Sequence, residues 1–145
     1  MTVSIRNLRF SYDKTSHDPI LEIPEWSVAA GEHVFLHGPS GSGKSTLLNL
    51  LAGVLTTTEG SIKILDQSLD LMSERQRDKF RANHIGLVFQ QFNLIHYLSA
   101  LDNIRLANHF TSAPFRKKTD SRANAKELLK TLGINDALHN QPASS

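Results

Sequence analysis

The sequence predicts an α/β fold in which a strand, a glycine-rich loop and a buried helix follow one another. Three consecutive segments support this prediction: the short apolar segment His33–His37, the loop Gly38–Thr46 and the leucine-rich segment Leu47–Ala52. The loop fits the pattern G-x-x-x-x-G-K-[S/T] at every fixed position, and a strand before it and a helix after it are the context that a phosphate-binding loop needs. A nucleoside triphosphate is therefore the predicted ligand.

Length and composition indicate one domain with enough apolar residues for a core, since 39% of the 145 residues are hydrophobic. The absence of cysteine excludes a disulfide framework, a cysteine zinc site and a thiol nucleophile. The longest apolar segment, Leu47–Leu55, contains Asn49 and is far shorter than the ~20 residues of a membrane helix. The N-terminus has no signal-peptide core. We therefore expect a soluble chain, or one held at a membrane only by a partner.

The formal net charge of +2 is mildly basic, and the basic residues are scattered along the chain. No aromatic residues interleave with them, as they do in many single-strand nucleic-acid sites. A solvated surface therefore explains these charges better than a nucleic-acid interface, and we expect no nucleic-acid partner. The residues concerned are Arg75, Arg77, Lys79, Arg81, Arg116, Lys117 and Lys118.

Two strands are predicted before the loop, because apolar residues mostly alternate from Val3 to Tyr12 and again from Ile20 to Val28. The polar segment 13–19 between them predicts an antiparallel connection. After the loop, apolar residues on several sides of the helix indicate that it is buried, and Gly53 is placed to end it.

Two further elements follow this helix. The segment Ser61–Leu65 predicts a strand. Ser73 and Gln76 then have capping-box spacing for a polar helix that reaches about Asn83.

The next segment, Ile85–Phe89, predicts another strand, and beyond Gln90 the pattern becomes helical. Apolar residues between Leu101 and Ala107 predict one helix, with Ser99 as its N-terminal cap. Those between Ala125 and Leu132 predict a second, amphipathic helix that Gly133 could end.

The glycine loop has the chemistry that a triphosphate requires. Gly41 and Gly43 let the backbone turn its N–H groups toward closely spaced anionic oxygens. The helix that begins near Lys44 adds its dipole, which contributes only ~0.3–1 kcal/mol at an exposed site, so the N–H donors and Lys44 must supply most of the affinity. Lys44 is expected on the β- and γ-phosphates and Ser45 on Mg²⁺. The motif alone does not distinguish ATPases, GTPases and kinases.

Two positions outside the loop help to distinguish between these classes of nucleotide-binding protein. Tyr12 ends the sequence Phe10-Ser11-Tyr12, and Gln90 lies between Phe89 and Phe92 directly after the predicted strand. Taken in this order with the loop, they resemble the ATP-binding subunit of ABC transporters. In that family an aromatic residue stacks on adenine, the loop is Walker A, and the Q-loop glutamine contacts Mg²⁺ and the attacking water. Residues 89–98 and 100–104 look most like the subgroup that serves lipoprotein release and macrolide export.

The resemblance implies that the chain is the N-terminal part of an α/β P-loop NTPase of the ABC type. This part holds an antiparallel β subdomain, the phosphate-loop strand and helix, and the start of a helical subdomain, without the C-terminal sheet strands. Residues 1–145 would form a single partial domain, with the nucleotide-binding core and antiparallel β part at 1–91 and an incomplete helical subdomain at 92–145.

The resemblance also implies ATP and Mg²⁺ as cofactors, with Ser45 and Gln90 on the metal. The implied partners are a transmembrane transporter subunit and a second nucleotide-binding subunit, at the cytoplasmic face of the cell membrane. The implied ATP-binding residues are Tyr12, Gly38, Pro39, Ser40, Gly41, Ser42, Gly43, Lys44, Ser45, Thr46 and Gln90.

The family's Leu-Ser-Gly-Gly-Gln signature, Walker B aspartate, catalytic glutamate and switch histidine do not occur in these 145 residues. In the family they follow a segment resembling Pro142-Ala143. We therefore expect a fragment that binds Mg-ATP at most, has no catalytic residue and hydrolyses ATP negligibly alone. The strands that flank the loop strand in the family also come later, so Val34, Phe35 and Leu36 should lack partners and the fold should be marginal.

Two alternatives remain open. One is a remnant that does not use ATP and docks on a membrane subunit through Gln91–Leu98. The other is a GTPase or small-molecule kinase, but the nearest match to a guanine motif, Lys117–Asp120, lacks the Asn or Thr with which that motif begins. Five of the seven histidines are expected at surface or packing positions and not in catalysis or metal binding: His33, His37, His84, His109 and His139.

Overall fold

The computed structural model describes residues 2–13, 18–88, 94–109, 121–135 and 141. The chain forms two compact units, Met1–Arg81 and Ala82–Ser145. Within the described ranges, no helix is long and apolar enough to cross a lipid bilayer. The division of a single partial domain at residue 91 stays a prediction.

The first unit contains a four-stranded antiparallel sheet in the order β2-β1-β3-β4. Its strands are β1 (Val3–Phe10), β2 (Leu21–Val28), β3 (Glu59–Ile64) and β4 (Gln67–Ser68). The first three confirm strands predicted from alternating apolar residues. The short β4 was not predicted, because two residues are too few to show any periodicity.

The strand register places apolar residues on one face of the sheet and charged residues on the other. On the apolar face Ile5 lies between Trp26 and Ile62. On the opposite face Arg6 pairs with Glu25 and Arg9 with Glu22. Arg6 and Arg9 are three residues apart and share a face because the strand is irregular between them, where Asn7 has a φ of +48°. The sheet therefore has one face for packing and one for solvent.

The glycine loop leads into helix α1 (Lys44–Leu51), which buries Thr46, Leu47 and Leu50. Leu50 lines a small cavity together with Ile62 of β3 and with Leu69. The prediction that α1 is buried on several sides is wrong, because Leu48 is half exposed. Four leucines in this helix suggested complete burial, whereas the described chain covers only one of its sides. The helix ends at Leu51 with Ala52 as its cap, and Gly53, the residue predicted to stop it, follows in the left-handed conformation (φ 68°).

The predicted strands at His33–His37 and Ile85–Phe89 are absent among the described residues, although Phe89 itself lies outside them. Residues 33–37 and 85–88 pair with none of the four strands in the sheet. A strand exists only through the hydrogen bonds of a neighbour, which an apolar segment cannot supply for itself. Phe35 is accordingly 87% exposed and Val34 is 45% exposed.

Helix α2 (Glu74–His84) begins with the capping box predicted from its spacing. The Ser73 N–H donates to Gln76 Oε1 at 2.8 Å, and the Gln76 N–H donates to Ser73 Oγ at 3.4 Å. Arg81 reaches the end of α1, where its Nη1 donates to the Gly53 carbonyl at 3.4 Å. A cation at this position interacts favourably with the negative end of the α1 dipole.

The second unit contains α3 (Ala100–His109) and α4 (Ser121–Thr131). Leu101, Ala125 and Leu129 form their common core. The predicted cap of α3 is confirmed: the Asp102 N–H donates to Ser99 Oγ at 3.1 Å. After α4, the N–H of Ile134 donates to the Leu129 carbonyl at 3.0 Å, across Gly133, which is a Schellman-type ending.

Candidate phosphate-binding site

The glycine loop is joined to α1 through Gly43, whose left-handed conformation (φ 82°) immediately precedes the helix. The first helical hydrogen bond runs from the Leu47 N–H to the Gly43 carbonyl at 2.8 Å. A Cβ at Gly43 would lie 2.6 Å from Leu21 Cδ2, so β2 approaches the loop closely here. Glycine is needed for both the backbone angle and the space, and it orients the N-terminus of α1 toward the loop.

Lys44 is the first residue of α1, and its side chain folds back over the loop. Its Nζ donates to the carbonyl oxygens of Gly38 at 2.8 Å and Pro39 at 2.7 Å, and to Ser42 Oγ at 3.3 Å. An ammonium group has three N–H donors, and these three oxygens can accept all of them. The positive charge is therefore held directly above the loop backbone.

The remaining loop residues leave room for a ligand. The Ser42 N–H donates to the Pro39 carbonyl at 3.3 Å, which closes a tight turn. Among the described residues other than the two chain neighbours of Gly41, none has a heavy atom within 4 Å of the position that a Cβ would take there. The exposed backbone, the fixed ammonium and the helix N-terminus together fit a phosphate group, since they offer donors and positive charge without bulky side chains.

Ser45 is exposed at the second position of α1, in the first helical turn. Among the residues that the structure describes, no group of three or more His, Cys, Asp or Glu side chains could hold a metal ion. The Ser45 hydroxyl could serve as one Mg²⁺ ligand beside oxygens of the phosphates themselves, as in phosphate loops generally. Gln90, the other predicted Mg²⁺ ligand, lies outside the described residues.

Tyr12 lies next to the same helix, although it is far away in the sequence. Its hydroxyl is 3.2 Å from Thr46 Oγ1, a hydrogen bond between residues 34 positions apart. Its ring meets that of Phe10 edge to face, with centroids 5.0 Å apart and planes at 84°. The side chain is nevertheless 62% exposed, so much of the ring surface is open to solvent. The structure thus brings the predicted aromatic residue to the start of α1.

Sequence reasoning identified the loop and Tyr12 but missed what joins them. The contact of Leu21 with Gly43 and the bond between Tyr12 and Thr46 both connect residues from separate elements. A local pattern carries no signal for either contact. Alternation in β2 indicated only that Leu21 shares a face with Ile23, not that this face meets the loop.

The chain is similar to known proteins of one family. Residues 21–145 match the family model described as ABC transporter. An uncharacterised ABC transporter ATP-binding protein of Escherichia coli, YbbA, is 40% identical over 142 residues, which are 97% of this chain and 61% of YbbA. The macrolide export ATP-binding/permease protein MacB of Rhodopirellula baltica is 35% identical over 141 residues, which are 97% of this chain and 20% of MacB.

A solved structure shares the fold. The dimeric post-hydrolysis state of the ATP-binding cassette MJ0796, bound to ADP and Pi, matches with a TM-score of 0.82 at 33% identity. The match covers 97% of this chain and 61% of that one, so the chain spans 61% of the length of both YbbA and the MJ0796 cassette. The family model, the sequence relatives and the fold agree, and the chain belongs to the ATP-binding domains of ABC transporters.

Proposed function

We propose that the chain binds ATP with Mg²⁺ in the loop Gly38–Thr46, as part of the ATP-binding subunit of an ABC transporter. The observation that carries this proposal is the position of Lys44, whose ammonium lies over the loop carbonyls at the N-terminus of α1. Membership of the family supports ATP as the nucleotide, and ADP is present in the MJ0796 structure.

Each residue of the site has a distinct role in this proposal. Lys44 would exchange its carbonyl partners for β- and γ-phosphate oxygens, which compete well because they are charged. Ser45 would hold Mg²⁺ together with Gln90. The exposed ring of Tyr12 would stack on the base, since an aromatic face provides apolar contact without reading the base edge.

A lysine-to-alanine change tests the proposal by calorimetric titration of Mg-ATP into the 145-residue chain. Hydrogen bonds to a charged group contribute ~1.5–3 kcal/mol each, so Lys44→Ala should lower the affinity at least about tenfold and, if two bonds are lost, beyond detection. Lys126→Ala is a matched control, because this lysine is exposed on α4 of the other unit. Equal ATP affinity in the two variants would contradict the proposal.

The proposed role of this chain alone is binding without turnover. After Gln90 these 145 residues contain no apolar segment that ends in Asp-Glu, which would supply the general base. A general base typically accelerates such a reaction ~10²–10⁴-fold. We expect the unchanged chain to release phosphate from Mg-ATP no faster than the Lys44→Ala variant does. Turnover that depends on Lys44 would show that this chain carries its own hydrolytic apparatus.

The proposed partners follow from the same family. MJ0796 is dimeric in its solved structure, which supports pairing with a second nucleotide-binding subunit. We further propose attachment to a transmembrane transporter subunit at the cytoplasmic face of the membrane. Size-exclusion chromatography with and without Mg-ATP tests the first partnership, and a monomer under both conditions would contradict it for this chain.

A second candidate function is docking on the membrane subunit without use of ATP. The turn 95–98 favours it, because this turn is fixed while Tyr97 at its tip is 83% exposed. Asn103 fixes the turn: its side chain accepts the Ile95 N–H at 2.9 Å and donates to the carbonyls of Ile95, Leu98 and Ser99 at 3.1–3.2 Å. An exposed aromatic on a rigid turn is typical of interface anchors.

The two candidates respond differently to mutation. Docking without ATP predicts that Lys44→Ala still co-purifies with the membrane subunit while Tyr97→Ala does not. Loss of the complex in Lys44→Ala would count against docking as an independent function.

A further inference from the structure

The hydrogen bond between Tyr12 and Thr46 ends inside the loop that holds the phosphates in the proposed function. The two hydroxyl oxygens are 3.2 Å apart, and either can be the donor. Thr46 is 7% exposed and is the third residue of α1, directly after Lys44 and Ser45. The hydroxyl of Tyr12 is therefore connected to the first turn of the helix that faces a bound anion.

A bound phosphate would fix the direction of this hydrogen bond. A threonine hydroxyl has one O–H donor and two acceptor positions. The ionised oxygens of a triphosphate are strong acceptors, so a contact between them and Thr46 uses the only O–H of Thr46. Tyr12 must then donate to Thr46 Oγ1 for the bond between the two side chains to persist.

Tyr12 is held where its hydroxyl can donate in this way. Phe10, which is 5% exposed, contacts the Tyr12 ring edge to face at a centroid distance of 5.0 Å. One contact at the ring and one at the hydroxyl restrict both side-chain torsions of a tyrosine. The hydroxyl is thus at Thr46 without any ligand, while 62% of the side chain stays exposed.

We propose that Tyr12 is a positioning residue for phosphate: its hydroxyl donates to Thr46 Oγ1 and directs the Thr46 O–H to a phosphate oxygen of the bound nucleotide. This inference rests on the proposed function. Successive hydrogen bonds polarise one another, so a donor at Thr46 Oγ1 strengthens the bond that Thr46 gives to the phosphate. The hydroxyl of Tyr12 serves the phosphates, and its ring remains available to the base.

Calorimetric titration of Mg-ATP and of Mg-tripolyphosphate into the 145-residue chain tests this role. Tyr12→Phe keeps the ring and removes only the hydroxyl. We expect it to weaken the binding of both ligands by the same factor, about two- to tenfold, which is the range for one hydrogen bond. An unchanged or higher tripolyphosphate affinity in Tyr12→Phe would overturn the inference.

Variants of Thr46 show whether Tyr12 acts through this residue. Thr46→Val should weaken both ligands at least as much as Tyr12→Phe does, and Thr46→Ser, which keeps the hydroxyl, should restore them. Adding Tyr12→Phe to Thr46→Val should weaken binding no further, and a further loss would overturn the inference. Thr131→Val is the matched control, because it removes an exposed hydroxyl on α4 and should leave both affinities unchanged.

The Raman doublet of tyrosine distinguishes a hydroxyl that donates a hydrogen bond from one that accepts. The chain has two tyrosines, so a Tyr97→Phe background leaves Tyr12 as the only source of this signal. With Mg-tripolyphosphate bound, the doublet should have the intensity ratio of a donor hydroxyl. The ratio of an acceptor would overturn the inference, and a purely structural role for Tyr12 predicts no donor signature that depends on the ligand's presence.

Failure of the proposed function gives a different result. If the unchanged chain binds neither ligand, the proposed function is wrong and this inference falls with it. If it binds both ligands and Tyr12→Phe weakens neither, only the inference is wrong. Circular dichroism and urea midpoints identify any variant that loses its fold, and the Raman measurement, which leaves Tyr12 and Thr46 in place, then decides the question.

Discussion

Gly43 and Gly41 provide a matched pair for testing how the phosphate loop is built. Both have the same left-handed backbone, with φ of +82° and +83°. They differ in surroundings: a Cβ at Gly43 would lie 2.6 Å from Leu21 Cδ2, 3.2 Å from Leu21 Cγ and 3.4 Å from the Ile20 carbonyl oxygen, whereas none of these atoms is near Gly41. Replacing each with alanine therefore separates backbone strain from crowding.

The expected free-energy changes follow from these two terms. An L-residue in the left-handed region costs roughly 1–2 kcal/mol, and this applies to both variants. Crowding against Leu21 adds about 1–3 kcal/mol for Gly43→Ala only, since the Leu21 side chain must move out of a packed position. Gly41→Ala should thus lower the free energy of unfolding by ~1–2 kcal/mol and Gly43→Ala by ~2–5 kcal/mol.

Urea denaturation followed by far-UV circular dichroism measures both changes. The decisive quantity is the difference between the two variants, because the backbone term cancels. Equal destabilisation would refute the close approach of β2 to the loop. Gly41→Ala has a second expected effect: its methyl group enters the open space of the loop, so ATP binding should weaken although the fold is retained.

Three further predictions concern stability. Leu50→Ala should lower the free energy of unfolding by ~2–5 kcal/mol and Leu48→Ala by well under half of that, measured in urea, because Leu50 is 1% exposed and Leu48 is 50% exposed on the same helix. Asn103→Ala should lower the free energy of unfolding by ~1–3 kcal/mol, and Asn103→Asp should not rescue it, because a carboxylate has no N–H to donate to the three carbonyls that share the two amide N–H groups of Asn103; an Asn103→Asp variant as stable as the unchanged chain would refute this role of Asn103. The unpaired segment with exposed Phe35 predicts a melting midpoint below ~60 °C by calorimetry, and a cooperative transition above that would contradict a marginal fold.

The sequence predicted those elements whose signals are local. The capping box at Ser73, the N-terminal cap at Ser99 and the stop at Gly133 depend on residues a few positions apart, and all are present in the structure. Alternation predicted three of the four strands for the same reason. The chemistry of the loop also follows from nearby residues, since Lys44 reaches Gly38 and Pro39 within six positions.

Sequence reasoning failed where a feature depends on distant partners. The segment 33–37 has the composition of a strand, but pairing depends on neighbours that the four described strands do not provide. Leu48 shows the same limit, because an apolar residue on a helix does not specify what covers it. The bond between Tyr12 and Thr46 and the role of Asn103 arise from tertiary contacts, and polar side chains alone do not indicate which partner they will have.

The most direct test of ATP binding at this loop is hydrogen–deuterium exchange of the 145-residue chain with and without Mg-ATP. Phosphate oxygens should accept backbone N–H groups of the loop, and a base on Tyr12 should shield the end of β1. We predict slower exchange in peptides covering Gly38–Thr46 and residues 10–13, and no change in α4. Unchanged exchange in the loop at saturating Mg-ATP, or protection confined to the second unit, would contradict the account.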